Sequence, residues 1–277
     1  MATDQKHAER PAGGQLPEPR IIGAVNWLGT WTHYEKEVRR FAKVGLQTLL
    51  APVVTTLLFM AVFSLALGGA VRELGGVPFT EFLAPGLIMM AIIQNSFANT
   101  TSSVMMSKIQ GNIVDMLMPP MAPVELTLGF GLGGATRGIL VAACVGFAAS
   151  IFVPLHIHDI WLVLFHAAGA SIMLSLLGLM TAIWAEKYDH IASITNFLVT
   201  PLSFLSGTFY SIDRLPEIWR DVAMFNPFFY LIDGFRYGFI GHHDGSLIAG
   251  VIVVLTVDIT LWLACHWMFA SGYKLKS

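Results

Sequence analysis

Hydrophobic residues in this chain run in long blocks, not in the short amphipathic patterns of a water-soluble core. Six blocks are long enough for a helix to cross hydrocarbon, which takes about 20 residues: 44–67, 82–104, 124–152, 160–184, 191–210 and 247–269. Ahead of them, residues 25–43 place Trp27, Trp31, Tyr34, Val38 and Phe41 at steps of three or four, opposite Lys36, Glu37, Arg39, Arg40 and Lys43. This predicts an amphipathic interfacial helix anchored by Trp27 and Trp31, with Arg39 and Arg40 on its wet face. Residues 1–24 mix charges with Pro11, Gly13, Gly14, Pro17 and Pro19 and hold no apolar run. They predict a disordered tail, not a cleavable signal.

A further apolar stretch, 222–240, is interrupted. Asp233 and Arg236 would each cost about 2.5–3.5 kcal/mol near a bilayer centre, and Asn226-Pro227 breaks a helix early. With six spans, both termini share one side. Lys36, Arg39, Arg40, Lys43, Lys108, Lys187, Lys274 and Lys276 then lie together, opposite Arg72, Arg214, Arg220 and Arg236. Basic residues accumulate on the cytoplasmic side of membrane proteins, so both termini are expected in the cytoplasm. A seventh crossing would strand Lys274 and Lys276. Residues 211–246 therefore read as an external re-entrant segment, with Arg220-Asp221 and Asp233/Arg236 as locally neutralising pairs. Its aromatic residues, Phe228 and Tyr230 among them, suit either an interface anchor or a deformable exit wall.

Composition agrees with a polytopic, all-α membrane protein. Hydrophobic residues make up 55% of the 277 and charged residues 12%, which leaves too little polar surface for a water-soluble fold. A net charge of −2 gives no electrostatic basis for binding nucleic acid. Cys144 and Cys265 both fall inside apolar runs and read as small buried hydrophobes.

The sequence contains no G-x-x-x-x-G-K-[ST] phosphate loop, so nothing in it predicts ATP binding. "GFGLGG" at 129–134 has the form of a dinucleotide fingerprint, yet it opens an apolar span and follows no strand. Gly129/Gly133 and Gly134/Gly138 instead have the small-xxx-small spacing that lets helices approach closely. Asn95, Asn99 and Ser102 form a polar stripe within the second span, suited to interhelical hydrogen bonds or to lining a pathway. Arg137 in the third span and Asp258 in the last are costly intramembrane charges, so each is a functional candidate or a structurally paired ion.

Three stretches carry a family resemblance: "LAPGLIMM" (83–90), "NIVDMLMPPMAPVELTLGFGLGGATRGILV" (112–141) and "PLSFLSGTFYSIDRLPEIWRDVAMFNPFFYLIDGFRYGFIG" (201–241). From about residue 25 onward the chain resembles the permease subunits of ABC-2 type exporters, in particular the bacterial YadH and NodJ group. The resemblance implies six spans, an interfacial helix and an external re-entrant helix pair before the last span. It also implies a multi-pass protein of the bacterial inner membrane that pairs with a second copy of itself. Two separate ATPase subunits would bind ATP and magnesium, leaving no cofactor in this chain. On that pattern, residues 107–119 correspond to a cytoplasmic coupling helix centred on Asn112, Val114, Asp115, Met116 and Leu117. The cargo expected is amphipathic: a glycolipid, a lipo-oligosaccharide or a hydrophobic drug-like compound. An ATP-independent channel or secondary carrier and a membrane-embedded enzyme are the other readings. The first wants internal repeats around midplane ions, the second a convergent nucleophile or metal cluster.

Overall fold

The computed structural model describes residues 23, 25–67, 73–74 and 76–275. The expected tail over 1–24, apart from Gly23, and the charges at Arg72 and Lys276 lie outside the described residues.

Among the described residues, five helices are long and apolar enough to cross a membrane: α2 (Gly45–Leu67), α3 (Phe79–Ile109), α5 (Pro123–Ser150), α6 (Ile160–Trp184) and α11 (Leu247–Ser271). Each coincides with an expected span to within a few residues. Before them comes α1 (Trp27–Ala42). A two-stranded hairpin, β1 (Glu73–Leu74) and β2 (Val77–Pro78), precedes α3, and α4 (Ile113–Leu117) connects α3 to α5. The stretch 191–210 is not one long helix. It is built from α7 (Tyr188–Ile194), a π-helical turn (Thr195–Val199) and α8 (Thr200–Leu205). Pro201 explains the interruption, because its ring would collide with the carbonyl four residues earlier and the wider turn relieves that collision.

Residues 211–246 hold α9 (Glu217–Phe225) and α10 (Pro227–Ile240). The break falls at Asn226-Pro227, as the sequence predicts. Asn226 caps α10 by accepting from Phe228 N at 3.0 Å, and donates to Leu202 O at 2.8 Å and Ser206 Oγ at 2.7 Å. One side chain thus starts α10 and fastens it to the end of α8. From there α10 enters the bundle, and Phe228, Leu231, Ile232 and Phe235 join the main core beside residues of α3, α5 and α6.

Two expected ion pairs in this segment do not form. Arg220 pairs with Asp213 at 2.8 Å rather than with its neighbour Asp221. Asp233 accepts from the backbone N–H groups of Asp244 (2.7 Å) and Gly245 (3.0 Å), while Arg236 donates to Gly207 O at 2.6 Å and covers the Phe82 ring at 3.8 Å. Spacing along a helix allows an i,i+3 contact, but the turn after α10 offers Asp233 two fixed donors. Phe228 is buried in the core and Tyr230 is partly buried.

The glycines of α5 form two smooth faces. A methyl group at Gly133 would lie 2.6 Å from Glu37 Cβ, and one at Gly129 would strike the His33 ring, so this face receives α1. Side chains at Gly134 and Gly138 would collide with Ser175, Ser171 and Ser96 of α6 and α3. The close approach of backbones is what these glycines permit.

Candidate functional site

All the elements named next converge on one end of the bundle. α1 begins with Asn26, whose Oδ1 accepts from Gly29 N at 2.9 Å. Glu125 joins it to α5: its carboxylate accepts from Asn26 N at 2.6 Å and from Ala122 N at 2.8 Å. Pro123 and Glu125 are a legible helix start, although Ala122 has no side-chain oxygen to complete the reciprocal cap. The link from Glu125 to residue 26 carries no sequence signal.

The face of α1 that looks wet in the sequence is in part buried. Glu37 is 0% exposed, whereas Trp27 is 71% and Trp31 61% exposed. Glu37 accepts from Ser103 Oγ at 2.7 Å and pairs with Arg40 at 3.3 Å. Arg40 also donates to Asn99 O (2.7 Å), Asn99 Oδ1 (2.9 Å) and Ser102 Oγ (3.2 Å). α1 therefore docks its Glu37 side on α5 and α3, and its tryptophans face outward. Arg39 stays at the surface, paired with Glu35 at 2.6 Å. Burial holds the His33 imidazole down to about 4, so the ring is neutral near pH 7 where it packs edge-on against Phe130.

Lys108 fastens the end of α3 to the end of α6. Its Nζ donates to Ile183 O (2.6 Å), Ala185 O (2.8 Å) and Ala182 O (3.2 Å), the favourable place for a cation at a helix C-terminus. Lys274, just past α11, bonds Glu186 at 2.9 Å at the same end.

α4 sits beside these anchors. Ile113, Met116 and Leu117 pack on a core formed with Leu179 and Ile183, and Asn112, Val114, Asp115 and Met118 are exposed. Of the residues expected in a coupling contact, Asn112, Val114 and Asp115 thus present themselves outward. Leu117 instead packs on this chain, Met116 packs there and also lines the neighbouring groove, and Met118 joins the outward set. A groove of about 1010 Å³ runs between α1, the end of α3 and α4, with Trp27, Lys36, Gln110, Asp115 and Met121 among its lining.

Deeper in the bundle, Asn95, Asn99 and Ser102 hold two arginines. Asn99 and Ser102 receive Arg40, and Asn95 Oδ1 accepts from Arg137 Nη2 at 3.1 Å. Arg137 lies near the middle of α5. Asp258 is elsewhere, on α11 against Gly169 of α6. Among the described residues neither charge belongs to an ion pair.

Comparison with known proteins matches residues 29–240 to the family described as ABC-2 type transporter. The inner membrane transport permease YadH of Escherichia coli (strain K12) is 34% identical over 251 residues, covering 91% of this chain and 98% of that protein. Nodulation protein J of Rhizobium leguminosarum bv. trifolii is 26% identical over 251 residues, covering 86% of this chain and 93% of that protein. Nodulation protein J of Rhizobium meliloti (strain 1021) is 22% identical over 248 residues, with 85% and 92% covered.

Proposed function

Because this chain belongs to the ABC-2 type transporter family, we propose that it is the membrane subunit of an exporter whose ATP hydrolysis takes place on a separate subunit. The observation that carries this reading is α4, a five-residue helix seated on the bundle with its polar and apolar tips turned outward beside a large groove. An exposed Val114-Asp115-Met118 surface suits a partner better than water. Two ATPase subunits, holding ATP and magnesium, would serve two copies of this permease. The cargo is an amphipathic or lipid-linked compound: a lipo-oligosaccharide, a glycolipid or a hydrophobic drug-like molecule. Proteoliposomes carrying both subunits should move a fluorescent lipid-linked saccharide only when ATP is supplied, and the permease alone should hydrolyse none. Transport by the permease alone, without ATP, would instead establish a channel or carrier.

We further place the protein in the bacterial inner membrane with six crossings, the fifth formed by α7, the π turn and α8. These span residues 188–205, a length of roughly 27 Å at 1.5 Å per residue. Lys36, Arg40, Lys108 and Lys274 gather at the end that holds α1 and α4, which supports a cytoplasmic assignment for that end. Trp27 and Trp31 then lie at the lipid interface, and α9–α10 form the external re-entrant pair. In a variant lacking Cys144 and Cys265, a cysteine at exposed Glu217 should react with an impermeant reagent from outside. One at Asp115 should react only from inside. Labelling of both positions from one side would overturn the six-crossing topology.

A further inference from the structure

A second cavity, of about 510 Å³, opens between α2, α3 and α5. From its composition we infer that it binds the anionic head of an amphipathic molecule, with Arg137 as the residue that meets the charge. This rests on the export reading above for its biological meaning but not for its chemistry.

Charge is the first argument. Arg40 and Arg137 both line the cavity, and among the described residues no aspartate or glutamate does. Arg40 is already engaged by Glu37, Asn99 and Ser102. Arg137 has one neutral partner, Asn95 Oδ1, and its Nε is buried without any. The Asn95 amide is held in that orientation because its Nδ2 donates to Ala91 O at 3.0 Å, so it offers Arg137 an acceptor but no countercharge. A guanidinium near mid-membrane without an anion is costly, and a planar fork of donors is the group that best receives a phosphate or carboxylate.

Polarity along the cavity is the second. α2 and α3 run antiparallel here, so depth can be read from residue number. Toward the α1 end the wall is Gln47, Thr48 and Ser102; toward the other it is Phe59, Leu87 and Met90. Arg137, Gln94 and Asn95 lie between them. A free inorganic anion has no use for the apolar end, whereas an amphipath would seat its head at Arg137 and its first methylenes against Phe59 and Leu87. The outer face of α2 is itself exposed at Val54, Leu58 and Val62, which leaves lipid within reach of a tail. Arg40 stands at the mouth toward α1, where a head group from the inner leaflet would enter.

The test needs neither ATP nor a partner, so it can fail independently of the export reading. The full-length permease in neutral-lipid nanodiscs is titrated with short-chain phosphatidic acid and with phosphatidylcholine of equal chain length. The expected result is a preference of about tenfold or more for the anionic lipid, the scale of one charge-assisted contact. Arg137→Gln should abolish this preference and Arg137→Lys should keep part of it. Thr55→Trp fills the cavity from the exposed side of α2 with the charge untouched; it should weaken binding of both lipids and guards against a folding defect in the glutamine variant. Equal affinity for the two lipids, an unchanged preference in Arg137→Gln, or full displacement by equimolar inorganic phosphate would each overturn the inference. Should the preference hold while ATP-driven export fails, the site stands and the transport reading falls.

Discussion

Replacing Asp233 by leucine is expected to destabilise the fold by about 2–5 kcal/mol, and removing Arg236 as well is expected not to rescue it. Asp233 is buried and accepts two backbone N–H groups, from Asp244 and Gly245. Each buried donor left without an acceptor costs about 1–3 kcal/mol, and leucine satisfies neither. Damage would spread through the same turn. The Asp244 carboxylate accepts from Ser211 Oγ (2.8 Å), Ile212 N (3.0 Å) and His242 Nε2 (3.0 Å), so its backbone cannot shift freely to find a new partner. Asn at 233 retains one acceptor oxygen and should lose about half as much. An ion pair between Asp233 and Arg236 would make the double substitution milder than either single one; with separate hydrogen-bond partners, only the partial coupling of two charges one helical turn apart remains. Denaturant unfolding of Asp233→Leu, Arg236→Met and the double variant in detergent measures this. A coupling of about 3 kcal/mol or more would contradict the geometry.

Asp115→Arg is expected to reduce ATP-driven export about tenfold or more while leaving insertion, dimerisation and thermal stability unchanged. Asp115 is exposed between Val114 and Met116, and none of the side-chain hydrogen bonds or ion pairs of the described residues involves it. In a free loop such a change lies within about 0.5 kcal/mol of neutral. Against a partner it reverses a charge in a contact flanked by Val114 and Met118, the latter 75% exposed, and costs of about 2–5 kcal/mol are usual for buried interfacial charges. The two situations are separated by more than the error of a vesicle assay. Cross-linking from a cysteine at 115 to the ATPase subunit completes the measurement. Full export in the arginine variant together with no cross-link would reduce α4 to a connecting turn.

The long apolar helices were legible because a lipid-crossing helix states its length and composition in one continuous stretch. The stretch 191–210 was harder: Pro201 sits within it, and the local widening to a π turn depends on where the ring meets the preceding carbonyl. Faces were less legible than lengths. Periodicity put Phe41 opposite Glu37, whereas Thr30, His33, Glu37 and Phe41 together form the docked face of α1, and polar was equated with wet. Glu37 and Arg40 are drawn inward by Ser103, Asn99 and Ser102, residues about sixty positions away, and no pattern within α1 announces them. The same limit applied to Asp233 and Arg236, whose helical spacing suggested each other and whose actual partners lie on separate loops. The glycines of α5 were legible for the opposite reason: close packing needs the absence of a side chain, and absence is visible in sequence without knowing the partner.

The bond between Glu125 and Asn26 also bears on the order of assembly. The two residues are 99 positions apart, which at roughly 5–20 residues per second of synthesis separates their emergence by about 5–20 s. Through that interval α1 exists without its tether to α5, and without Asn99 or Ser103 for the earlier part of it. Among the described helices α1 is thus made first, yet it can be tethered only once α5 has been made, before α6, α10 and α11 exist.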